Sequence, residues 1–132
     1  MAGKVVHFEI PLDDVERGRK FFADAFGWTI NPLPEMDYTL VGTTPLDENG
    51  MPVEAGSING GMFARGEQSP SSAPVITIDV EDIDEALKKI ESLGGTTVAP
   101  RMPIGEMGFA AYFKDTEGNI LGLFESAQPP GA

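Results

Sequence analysis

Asp14-Val15-Glu16-Arg17-Gly18-Arg19-Lys20 and Asp82-Ile83-Asp84-Glu85-Ala86-Leu87-Lys88 are two copies of one pattern, set 68 residues apart. In the same alignment Gly27 falls on Gly95, and Val15, Phe22 and Ala25 fall on Ile83, Ile90 and Leu93. Small or apolar residues recur at i, i+3, i+7 and i+10, which is one face of an α-helix. Asp14 and Asp82 stand where a side-chain oxygen accepts a free N–H of the first turn. Gly27 and Gly94-Gly95 stand where a left-handed residue ends a helix at little cost. The pattern predicts helices over residues 15–26 and 83–93.

Working outward, each helix is preceded by a β-branched, partly alternating stretch, Val5–Ile10 and Val75–Val80. Three further strand-like pieces follow each helix. After the first come Trp28–Ile30, Tyr38–Val41 and a piece near Gly56–Phe63. After the second come Thr96–Val98, Gly108–Phe113 and Asn119–Phe124, the last two joined by a turn at Lys114–Asn119. Each half therefore reads βαβββ. The expected organisation is a single domain over residues 1–127. Module one spans 4–63, a polar linker 64–73, and module two 74–126. Thr43–Ala55 is expected to be a long mobile hairpin loop, and residues 128–132 a disordered tail.

The 132 residues suffice for one ordinary domain, and no apolar run approaches the roughly 20 residues of a membrane-spanning helix. The N-terminus enters strand-like sequence directly, without a signal-peptide pattern, so a cytoplasmic location is expected. With no cysteine, disulfides, thiolate nucleophiles and Cys-ligated metals are excluded. A net charge of −12 disfavours nucleic acid as a partner and favours a cationic ligand over an anionic one. No phosphate-cradling glycine loop is present.

The opening strand with His7, the helix ending Phe21-Phe22-Ala23-Asp24-Ala25-Phe26-Gly27-Trp28, the Leu93-Gly94-Gly95 stop and the closing Asp115-Thr116-Glu117-Gly118-Asn119 turn with its strand carry a family likeness. On these pieces the chain resembles the vicinal-oxygen-chelate superfamily, which includes glyoxalases, bleomycin-resistance proteins and extradiol dioxygenases. Thr116 stands where that family's turn usually has Pro. The resemblance implies an α+β fold of two tandem βαβββ modules forming a curled mixed sheet around a cleft. It also implies four metal-facing positions, on the first and last strand of each module. Carried onto this chain they fall on His7, on Val75, on Gly122 and within Asn59-Gly60-Gly61. Only His7, the single histidine, is a metal donor, so no metal and no cofactor are expected.

His7 and Glu9, two apart on one strand, share a face and are the candidate catalytic pair. Glu9 is expected to orient His7 or raise its pKa; the plainer reading is a buried histidine satisfied by a carboxylate. The candidate ligand-binding residues are His7, Glu9, Thr77, Asp79, Phe109 and Phe124, with Met62, Met102 and Met107 as adaptable contacts. Each aromatic and methionine can equally be ordinary core. The expected function is a metal-independent small-molecule-binding protein, a homodimer, whose ligand is apolar, aromatic or cationic. The alternatives are a glyoxalase-like or dioxygenase-like enzyme with an atypical or dimer-completed site, and a purely structural role.

Overall fold

The structure, a computed structural model, describes residues 2–49, 52–67 and 69–127. The expected tail from Gln128 to Ala132 lies outside the described residues, as do Gly50 and Met51 of the long loop. Two compact units are present, His7–Pro74 and the described residues before His7 together with those from Val75 onward. The division falls inside the first strand.

The His7–Pro74 unit holds most of β1 (Val5–Leu12), then α1 (Val15–Phe26), β2 (Thr29–Leu33), β3 (Tyr38–Gly42) and β4 (Asn59–Ala64). Its strand order is β2-β3-β4-β1, with β1 parallel to β4 and the other pairs antiparallel. The second unit holds β5 (Val75–Asp79), α2 (Ile83–Ser92), β6 (Thr96–Ile104), β7 (Gly108–Lys114) and β8 (Ile120–Ser126). Its order, β6-β7-β8-β5, repeats that of the first, again with the first and last strands parallel.

The helices begin and end where the sequence places their caps. Asp14 Oδ1 accepts the Arg17 N–H at 3.0 Å, and Asp82 Oδ1 accepts that of Glu85 at 3.1 Å. Gly27, at φ 71°, donates its N–H to Ala23 O. In the first unit Leu12, Val41 and Met62 form the buried core, and Phe8, Ile10, Val15, Phe22, Trp28 and Ile30 pack on it. Gly18 is the close approach of α1 to β1, since a Cβ there would lie 2.6 Å from Leu12 Cδ2. In the second unit Ile83 and Leu87 of α2 pack on Ala111, Phe113 and Leu123.

Strand β6 runs six residues beyond the expected Thr96–Val98 and includes Pro100 and Pro103. It is at the outer edge of its unit's strand order, and its pairing with β7 shifts register between Thr97 and Ala99 and between Ala99 and Met102. Edge strands and bulges are the places where a sheet tolerates proline. Within the Thr43–Ala55 segment, Leu46 and Pro52 form an antiparallel bridge. No helix among the described residues is long and apolar enough to cross a membrane.

Candidate functional site

Alternation along β1 sorts its side chains. Phe8, Ile10 and Leu12 lie in the core beneath α1, so His7, Glu9 and Pro11 take the opposite face. The neighbouring strands extend that face. β4 pairs Asn59 with His7, Gly61 with Glu9 and Phe63 with Pro11. β3 then pairs Tyr38 with Phe63 and Leu40 with Gly61.

Tyr38 reaches this face through a tight turn. A short 3-10 turn at Pro34–Met36 ends on Asp37, which adopts the left-handed conformation at φ 50°. Asp is among the few side chains that accept it readily. The next residue, Tyr38, opens β3.

The Tyr38 ring occupies the space that a side chain at position 61 would take. A Cβ built on Gly61 would lie 2.0 Å from Tyr38 Oη and 2.2 Å from Cζ. From that position the hydroxyl donates to Glu9 Oε2 at 2.7 Å and is 2.9 Å from His7 Nε2. His7, Tyr38 and Glu9 thus form one hydrogen-bonded chain, with the carboxylate end buried and the imidazole half-buried. The two rings are nearly parallel, with centroids 6.5 Å apart.

Burial pushes the His7 pKa below its ordinary value, and the nearby Glu9 charge pulls it only partly back. Glu9 does raise the His7 pKa, as expected, but desolvation outweighs the carboxylate and the net shift is downward. Glu9 acts on His7 through Tyr38, a residue the sequence reading missed. The adjacent glycines at 60 and 61 were the available signal, because glycine inside a strand marks a close approach. Asn59, on the same face, holds the chain after β3, accepting the N–H groups of Thr43 at 2.7 Å and Thr44 at 3.1 Å.

In the second unit the equivalent face carries different chemistry. Val75 stands in the place of His7 and is 1% exposed; Thr77 stands in the place of Glu9 and is also buried. Thr77 pairs with Gly122 as Glu9 pairs with Gly61, which fixes Gly61 as the counterpart of Gly122. A Cβ on Gly122 would lie 2.8 Å from Thr77 Oγ1. Asp79 pairs with Phe124, so Thr77, Asp79 and Phe124 share this face. Partial burial raises the Asp79 pKa, and the Lys4 charge opposes the rise.

Phe109 does not join them. It pairs with Glu125 and packs with the α2 core, on the other face of its sheet. Arg101 lies over its ring, 3.6 Å from the centroid, and binds both Glu125 oxygens, at 3.2 Å and 3.0 Å. Glu125 Oε1 also accepts the Ile83 N–H at 2.9 Å, at the start of α2. Phe109 therefore belongs to a clasp on the helix face, by the same parity that sends Glu125 there. Met62 is core at 1% exposure, whereas Met102 and Met107 are exposed.

Residues 4–44 match a family model described as bleomycin resistance protein-like N-terminal. A glyoxylase-like domain-containing protein of Didymella fabae is 29% identical over 122 residues, covering 90% of this chain and 91% of that protein. Among solved structures, methylmalonyl-CoA epimerase from Mycobacterium tuberculosis matches with a TM-score of 0.63 at 16% identity, over 94% of this chain and 88% of that one. A glyoxalase/bleomycin resistance protein/dioxygenase superfamily member from Vibrio splendidus matches with a TM-score of 0.59 at 15% identity, over 94% and 99%. At these identities the likeness to the two solved structures is one of fold.

Proposed function

We propose that this chain, which matches a bleomycin resistance protein-like N-terminal model over residues 4–44 and shares the fold of a glyoxalase/bleomycin resistance protein/dioxygenase superfamily member, binds a small organic molecule without the metal that many of that superfamily use, on the face formed by His7, Tyr38 and Glu9. The observation that carries this reading is the Tyr38 hydroxyl lodged in the space above Gly61. The positions at which the resemblance implies metal donors are His7, Val75, Gly122 and one within Asn59-Gly60-Gly61, which the strand register narrows to Gly61. Three of them offer no donor atom, and the imidazole is hydrogen-bonded to a phenol. Zinc, nickel and iron sites need three or four donors. Among the described residues no three His, Cys, Asp or Glu side chains come together. The residues present do not fit the metal.

What remains suits recognition by hydrogen bonding. A half-buried neutral imidazole and a phenol can orient a polar group, and aromatic and aliphatic neighbours such as Leu40 and Phe63 share their face. The net charge of −12 favours neutral or cationic ligands. The homodimer and the cytoplasmic location belong to the same reading; sedimentation and cell fractionation check them.

A second reading has one observation behind it. Burial favours the neutral form of His7, the form in which an imidazole acts as a general base. In an enzyme of this fold it would take a proton from bound substrate.

Native mass spectrometry tests the proposal, with the protein offered Mg²⁺, Mn²⁺, Fe²⁺, Ni²⁺ and Zn²⁺ in turn. The expected result is no stoichiometric metal. One metal per chain or per dimer, lost on His7→Ala, would overturn it.

A further inference from the structure

His7 has two ring nitrogens, and the described residues supply the imidazole with one hydrogen-bond partner, the Tyr38 hydroxyl. We propose that Tyr38 locks His7 in the Nε2–H tautomer, leaving Nδ1 as a bare acceptor, so that the ligand of this face is an organic molecule offering an N–H or O–H donor rather than a carboxylate or a phosphate. The inference rests on the reading of this face as a binding site and names the class of ligand it takes.

The argument is a count of protons. A phenol has one proton to donate and lone pairs to accept with. A carboxylate only accepts. The 2.7 Å separation between Tyr38 Oη and Glu9 Oε2 is that of an O–H bonded to a carboxylate, so the phenolic proton lies between those oxygens. The Tyr38 oxygen then meets His7 Nε2 at 2.9 Å with a lone pair. A bare Nε2 would set two lone pairs against each other at that distance. The N–H must therefore be on Nε2, which donates to Tyr38. In the neutral ring the other nitrogen, Nδ1, then carries the unshared pair.

Two further features act in the same sense. A carboxylate or a fully ionised phosphate brings only acceptor atoms to a nitrogen that itself accepts. It also meets the buried Glu9 side chain next to His7 and a chain of net charge −12. A protonated amine, an amide N–H or a hydroxyl meets the nitrogen with the proton it lacks. Tyr38 is thus a positioning residue, acting on the ligand through His7.

Because His7 is the only histidine in the chain, imidazole ¹⁵N NMR of the labelled protein reads this residue without assignment. The unprotonated nitrogen resonates well downfield of the protonated one, and long-range couplings to the ring protons tell Nδ1 from Nε2. The expected wild-type spectrum is the Nε2–H form, favoured about tenfold by the bond to Tyr38. In Tyr38→Phe the extra preference contributed by that bond should be lost, and the ratio should fall to the weaker intrinsic Nε2–H preference of an unpartnered imidazole. Glu9→Gln is the second variant: its amide can donate to Tyr38 and reverse the chain, so the Nδ1–H population should rise. A wild-type spectrum dominated by Nδ1–H, or variants that leave the ratio unchanged, overturns the inference and leaves metal-free binding standing. Benzylammonium and phenol are then titrated against benzoate, which shares their ring and lacks the donor. A shift of the Nδ1 resonance with the first two and not with benzoate supports the ligand class. A shift with benzoate alone overturns that class; no shift with any probe, the tautomer being as expected, overturns the binding reading beneath it.

Discussion

Replacing Gly61 by Ala adds one methyl group at the point where β4 passes the Tyr38 ring. Gly61 does not have a positive φ, so the backbone itself accepts alanine. The obstacle is the ring, with Oη at 2.0 Å, Cζ at 2.2 Å and Cε2 at 2.3 Å from the added carbon. A planar ring anchored on a strand cannot retreat by a few tenths of an ångström to clear such contacts; it must leave. Two hydrogen bonds go with it, the one to Glu9 and the one with His7. A neutral bond contributes about 0.5–1.5 kcal/mol and a bond to a charged group about 1.5–3 kcal/mol. Gly61→Ala should therefore destabilise the fold by about 2–4 kcal/mol. The same change made in Tyr38→Ala meets no ring, and its cost should fall to within about 0.5 kcal/mol of zero. Urea unfolding of the four proteins in this cycle gives the coupling energy directly. Equal costs of Gly61→Ala in the two backgrounds would refute the claim that Tyr38 occupies the space at position 61.

Three other outcomes are expected. Since burial lowers the His7 pKa, the unfolded chain binds the proton more readily, and stability should fall as pH drops through the ordinary histidine value of 6.5. Urea midpoints measured on either side of that pH should show the loss, and His7→Gln should flatten it. Glu125→Ala removes the acceptor for the first N–H of α2 and the partner of Arg101, and should cost about 1–2 kcal/mol by thermal unfolding. Arg101 holds the Glu125 carboxyl below its ordinary range, so in the parent protein that contribution is present above the carboxylate range and lost as acid titrates through it. Ile83→Ala, at a fully buried position, should cost about 2–5 kcal/mol, where an exposed position such as Leu93→Ala should cost well under 1 kcal/mol.

The helices were legible because their signals are local. A capping Asp, an apolar stripe and a terminal glycine all lie within a dozen residues, and Val15–Phe26 and Ile83–Ser92 match the expected spans to within one residue. Strand ends were less so. The expected Thr96–Val98 stops short of Pro100 and Pro103, yet β6 continues through them because the edge of a sheet does not need every N–H. At the candidate site the pairing of His7 with Glu9 on one face followed from period two alone. Tyr38 did not, because it is 31 residues from His7 and reaches it only through the β3–β4–β1 register. Phe109 was misplaced for a related reason. Parity divides a strand into two faces, but which of them packs on α2 depends on the pairing of Phe109 with Glu125.

Gly61 and Tyr38 also constrain the order in which this chain could change. A metal-donating side chain at position 61 has no room until residue 38 has become smaller. A smaller residue 38, arriving first, strips His7 and Glu9 of their shared partner before any metal can replace it. Each of these steps alone disturbs the His7–Tyr38–Glu9 chain, and even together they leave Val75 and Gly122 without a donor atom, so Tyr38 and Gly61 hold this face away from metal chemistry as a pair.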